Sequence, residues 1–206
     1  MHFTRLLLTC ALGFILLSGW IVTGEELPQG SDFFAKITHG AIITIKGRDY
    51  KVYNKNQKMG LGTRDPRNPQ RWLKQGTHYI VNEKGFIQEE TPYVDDKIHG
   101  LKRTFYLNGK KNVEIVYVNG LKNGSETSYF DDGILIWRTS EFKDGRKNGL
   151  CTTMQKWKEI SVTQFEKNYF ENSLHGESLQ YDDAGKKVVH RKVYNMNKLV
   201  VSEDAK

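Results

Sequence analysis

Beyond residue 75 the chain alternates apolar and polar positions in short runs punctuated by Gly, Asn and Asp. In the stretch before Tyr117, the apolar Val113, Ile115 and Tyr117 alternate with Asn112, Glu114 and Val116. A period of two predicts β-strands with one face packed and one face wet. The runs themselves recur. Gly100-LKRTFYLN-Gly109 has counterparts in Gly76-THYIVNEK-Gly85, Gly124-SETSYFDD-Gly133 and Gly176-ESLQYDDA-Gly185, and a looser one in Gly149-LCTTMQKW-Lys158. The copies start near 76, 100, 124, 149 and 176, at spacings of 24, 24, 25 and 27. A fixed period of this length is the mark of a repeat architecture.

A second pattern closes each unit: an aromatic residue, then a turn, then the next start. It appears as Tyr93-VDDKIH-Gly100, Tyr117-VNGLKN-Gly124, Phe142-KDGRKN-Gly149, Tyr169-FENSLH-Gly176 and Tyr194-NMNKLV-Val201. The third residue past the aromatic is Asp96, Gly120, Gly145, Asn172 or Asn197, types that tolerate positive φ. All 11 glycines after position 75 fall into three columns: Gly76, Gly85, Gly100, Gly109, Gly120, Gly124, Gly133, Gly145, Gly149, Gly176 and Gly185. They are predicted to be turn positions. Each unit is therefore a hairpin whose first strand ends on a turn such as Asn108-Gly109 or Asp132-Gly133. The first strands carry a column of Phe105, Tyr129 and Tyr181, with Val81 and Met154 in the other copies. No proline follows Pro92, as a continuous ladder requires.

These units, with their [Tyr/Phe]-x-x-Gly-[Lys/Arg/Leu]-x-[His/Asn]-Gly link, resemble the MORN-repeat variant of bacterial proteins often labelled YwqK-type antitoxin components. The resemblance covers about residues 76 to 201. It implies an all-β fold: an elongated, single-sheet antiparallel β-meander of about five stacked hairpins, with roles in protein and membrane-surface contact and no catalytic residues to transfer. Lys158 in a glycine column and the 27-residue fourth unit predict that the sheet loosens between 158 and 169.

Residues 1–24 read differently. After Arg5, Leu6 to Thr23 holds 13 apolar residues among 18 with no charge, and Glu25 and Glu26 follow. A basic start and an acidic flank predict an apolar helix serving as a signal peptide cleaved near Gly24 or as an N-terminal membrane anchor. A lipoprotein reading through Cys10 has too few apolar residues before it. The chain is thus expected to be exported, periplasmic or held at the outer side of a cytoplasmic membrane.

Composition adds three points. Hydrophobic residues are only 38% of 206, which suits a single twisted sheet better than one thick core. Aromatics at 12% argue against disorder. Two cysteines, Cys10 and Cys151, exclude a disulfide scaffold and a Cys-based zinc site. Of the net charge of +7, residues 76–206 carry +1, from 20 basic and 19 acidic side chains. The excess lies in the pre-repeat segment, 25–75, where Lys46 to Lys74 sets nine basic residues against Asp49 and Asp65. There Ala41 to Tyr53 reads as a hairpin, followed by a loop from Asn54 to Gln70 with Pro66 and Pro69. Arg64, Arg67, Arg71, Lys74 and Trp72 are candidates for anionic-surface contact, each basic residue contributing about 1 kcal/mol near anionic lipid. The alternatives are a solvated loop neutralised by acidic repeats, or nucleic acid, which an exported chain is not expected to meet.

Catalytic chemistry is not expected. His99 and His175 precede opening glycines where other copies have Asn123 and Asn148, which suggests a residue held in the left-handed region. Asp131-Asp132 and Asp182-Asp183 recur at one hairpin turn and read as turn formers. Met59-Gly-Leu-Gly62 lacks the following helix of a phosphate loop. His39, His78 and His190 show no metal-type spacing, and no nucleophile, base and orienter come together. No catalytic, metal or cofactor residue is therefore assigned. The expected function is contact with an unidentified protein partner or an anionic lipid surface, with Trp137 and Trp157 as contact points. The alternative is an antitoxin or immunity role against a partner toxin.

Overall fold

The computed structural model describes residues 20–22, 39–45, 48–55 and 57–204, all of them in strands or the turns between strands. In chain order the strands are β1 (Trp20–Val22), β2 (Ile42–Ile45), β3 (Arg48–Lys55), β4 (Lys58–Asp65), β5 (Asn68–Val81), β6 (Ile87–Val94), β7 (Lys97–Ile98) and β8 (Gly100–Phe105). They continue as β9 (Lys111–Val118), β10 (Leu121–Tyr129), β11 (Ile136–Lys143), β12 (Arg146–Trp157), β13 (Ile160–Phe170), β14 (Ser173–Tyr181), β15 (Val188–Asn195) and β16 (Lys198–Asp204). All join one sheet in sequence order, with β7 a short extension paired to β6. Every pairing is antiparallel except β1 with β2, which is parallel. At roughly 4.8 Å per strand, fifteen strands in line extend about 65–70 Å. Of the predicted apolar N-terminal helix, only Trp20–Val22 lies among the described residues, and it is a strand.

The basic loop predicted between Asn54 and Gln70 is instead a hairpin of two strands. Asp65 pairs with Asn68, leaving Pro66–Arg67 as a two-residue turn, and the Arg67 amide donates to the Asp65 carboxylate at 2.9 Å. Pro69 falls in the register shift between the Arg64–Trp72 and Asp65–Asn68 pairs. Both prolines thus occupy places that need no ladder donor, so neither breaks the strands.

The buried core sits where the pre-repeat strands meet the first repeat, which contributes Tyr79 and Val81. Ile43, Tyr50, Val52, Met59, Leu61, Tyr79 and Val81 form one cluster on a single face of β2–β5, with Ile43 and Val52 fully buried. Burying one such aliphatic side chain contributes about 1.5–3 kcal/mol. In β9 the expected contrast between a packed and a wet face is absent. Asn112 to Tyr117 are half-buried on both faces of β9. In a single layer each side chain is covered only by its neighbours along and across the strands.

The sheet does not loosen at the fourth unit. The β12–β13 ladder runs from Gly149–Tyr169 to Trp157–Ile160. The extra residues lengthen this hairpin, and Lys158 takes the turn position at φ +55°. Pro92 lies inside β6, and its carbonyl accepts the His99 amide at 3.0 Å. A strand residue points its N and C=O towards the same neighbour, so the missing donor faces the break between β7 and β8.

Candidate interaction surface

All 11 glycines after position 75 have positive φ, from 65° to 118°, but they do three different jobs. Gly85, Gly109, Gly133 and Gly185 close the hairpin turns, each amide donating to a carbonyl three residues back at 2.9 Å. Gly120 and Gly145 are second residues of two-residue closing turns whose first residues, Asn119 and Asp144, also have positive φ, the type I′ geometry. Asp95–Asp96, Glu171–Asn172 and Met196–Asn197 repeat that geometry without glycine. Gly76, Gly100, Gly124, Gly149 and Gly176, predicted as turns, instead lie within strands and face the closing aromatic of their own unit: Tyr93, Tyr117, Phe142, Tyr169 and Tyr194. In three of the four hairpins that link units, the register shifts by two residues at this glycine, a bulge that increases strand twist.

The closing turns tie consecutive hairpins together. The amides of Asp96, Gly120, Gly145, Asn172 and Asn197 donate to the carbonyls of Lys74, Ile98, Lys122, Lys147 and Leu174, at 2.8–3.1 Å. Where the turn residue is Asp or Asn, its side chain also accepts from the same partner's amide: Lys74 to Asp96, Lys147 to Asn172 and Leu174 to Asn197, at 2.6–2.8 Å. That side-chain role is additional to tolerance of positive φ. The His/Asn column is a correction of another kind. His99, Asn123, Asn148 and His175 do not have positive φ. His99 and Asn123 reach the first residue of the next turn, Asn119 and Asp144, as Gln75 reaches Asp95.

One face carries a ladder of rings and cations. Lys74 lies over Tyr93 at 4.7 Å, Lys122 over Phe142 at 4.7 Å and Lys147 over Tyr169 at 5.1 Å, each lysine two residues before its unit's opening glycine. Other titratable groups are engaged within the sheet. Arg103 bridges Glu90 and Glu114, and the Tyr129 hydroxyl donates to Glu114. Burial pushes the Glu114 carboxyl up, but the hydrogen bonds from Tyr129 and Arg103 outweigh it and hold it below the usual range. Asp132 caps its turn by accepting from the amides of Ile134 and Leu135 at 2.9 and 2.8 Å. These bonds, with Lys156 at 3.0 Å, lower its pKa to about 2. Asp182 accepts from the amide of Lys186 in the same way at 2.8 Å.

The five sequence-predicted contact residues separate. Arg67 turns back on Asp65 at 3.3 Å. Arg71 pairs with Asp96 at 2.7 Å, so here the first repeat supplies the counter-charge. Arg64, Trp72 and Lys74 share the ladder face. Arg64 pairs across strands with Trp72 and lies 4.9 Å over its ring. Trp137 is half-buried, whereas Trp157 is 47% exposed.

On that face, β3–β6 form a groove of about 420 Å³ whose lining includes Lys51, Tyr53, Lys58, Trp72, Lys74 and Tyr93. Gly62 stands directly between Lys51 on β3 and Lys74 on β5. The His78 ring covers Gly60, where a Cβ would come within 2.4 Å of the imidazole, and lies 4.8 Å from the Tyr93 ring. Burial depresses the His78 pKa, so the ring is neutral at pH 7 while its Nε2 is 2.8 Å from the Leu61 carbonyl oxygen. Lys51, Lys58, Tyr53 and His78 are absent from the sequence-predicted set. Their signal was the alternation Lys58, Gly60, Gly62, Arg64, a strand pattern obscured by the prolines that follow it. Among the described residues no group of His, Cys, Asp or Glu is arranged to hold a metal ion. No family model matches the chain, and no curated protein matches it.

Proposed function

We propose that this chain is an exported, non-enzymatic MORN-like repeat protein that binds a protein partner in the bacterial cell envelope. One observation carries the reading: the same register recurs through five units, from the glycine–aromatic pair to the turn amide that closes on the preceding hairpin. The residue types that support catalysis elsewhere are occupied here in holding that register, as Asp132, Asp182 and Glu114 illustrate. What remains is a long ribbon with two broad faces, a shape suited to contact. Export rests on the apolar segment after Arg5.

Cross-linking in native membranes followed by pulldown tests this. Recovery of a stoichiometric protein partner from the envelope fraction is the expected result. Recovery of the chain alone, or its location in the cytoplasm, would overturn it. An antitoxin role predicts in addition that deleting only this chain arrests growth while a toxin is present.

A further inference from the structure

The groove on β3–β6 sets lysines on either side of a glycine gap. Among the described residues, neither Lys51 nor Lys58 has a carboxylate within ion-pair distance, and the groove's own acid, Glu89, is neutralised by Lys102 at 3.0 Å. Two of its aromatic rings are already covered by cations, Arg64 over Trp72 and Lys74 over Tyr93. Those rings hold charges in place and are not free platforms for a planar ligand. Gly62 leaves a gap one side chain wide between Lys51 and Lys74, whose backbones stand about 10 Å apart across two strand spacings.

The cations also follow a line. On β4, Lys58, Gly62 with its flanking lysines, and Arg64 occupy one face, separated along the strand by about 13 Å and about 7 Å. These are multiples of the two-residue repeat of an extended peptide. We propose that this groove binds an extended acidic segment of the protein partner, laid along β4 with Asp or Glu side chains at alternate positions. One carboxylate sits over Gly62 between Lys51 and Lys74. The next carboxylate in one direction meets Arg64 about 7 Å away, and the second one in the other direction meets Lys58 about 13 Å away, past Gly60 and its covering His78 ring. The 420 Å³ volume fits a short segment and lies within the range of about 300–1,000 Å³ for ligand pockets. A fluid lipid surface would not select the two-residue spacing of the cations, so peptide is favoured over membrane.

This inference rests on the partner-binding reading above and specifies the site of contact. The test is fluorescence anisotropy with a labelled eight-residue peptide alternating Glu and Ser. Its control is a peptide of four glutamates followed by four serines, with equal charge. The alternating peptide is expected to bind the full chain at least tenfold more tightly than the control. Lys51→Glu with Lys58→Glu should remove that preference without shifting the melting temperature; Lys51→Gln should weaken binding by several-fold. Equal binding of both peptides, or binding of neither, overturns the proposal. So does capture by phosphatidylglycerol vesicles that is abolished by the double substitution while the peptides fail to bind. A partner recovered by pulldown whose cross-links all fall outside residues 51–93 would sink the groove assignment and leave the partner-binding function standing.

Discussion

Gly124 illustrates how one residue type serves unlike purposes in this sheet. It sits inside β10 at φ +116°, opposite Phe142, and a Cβ there would come within 3.3 Å of Val116. Strained backbone of this kind costs about 1–3 kcal/mol for a non-glycine residue. Gly124→Ala is expected to lower unfolding stability by that amount, measured by urea denaturation; an unchanged midpoint would show that the bulge relaxes freely. Asp132 offers a pH signature. Its folded pKa, about 2, is depressed below the ordinary 3.8, first by the amide of Ile134. Its stabilisation is therefore complete above the unfolded pKa and disappears as pH falls from about 4 through about 2. Thermal melts across that window should show a shallower acid limit in Asp132→Asn than in the parent chain. A limb of identical slope would place acid sensitivity elsewhere.

Hairpins were the most legible elements. The period of glycines and aromatics located them because the same backbone problem, a pair of tight reversals in every 24 residues or so, is solved by the same residue types each time. What escaped was register. Nothing in the sequence distinguishes a turn glycine such as Gly109 from a bulge glycine such as Gly100, since both need positive φ. The difference depends on which strand lies opposite. The His/Asn column was misread for a related reason. His99 and Asn123 matter through contacts made about 20 residues away, with Asn119 and Asp144, and not through their own φ. The β4–β5 hairpin was missed because Pro66 and Pro69 look like breakers until a turn and a register shift place them outside the ladder.

Across the whole molecule, order is expected to be graded. Each hairpin touches only its neighbours, so stability approximates a sum of adjacent contacts. The fully buried side chains of β2–β5 give that end extra local stability. Native-state hydrogen exchange should find the slowest amides in β3–β5 and the fastest in β15–β16, where Leu199 and Val200 are 48% and 60% exposed. Uniform protection along the sheet would contradict this additive picture.

The five units, their hairpins, the neutrality of the repeats and the basic character of residues 46–74 were all determined by sequence, because each depends on residue type and local spacing. Tertiary structure alone decided that the basic segment is part of the same sheet, that the buried core joins its strands to Tyr79 and Val81 of the first repeat, and that Lys51, Gly62 and Lys74 come into line. Those facts depend on cross-strand register, which joins residues that local spacing leaves unrelated.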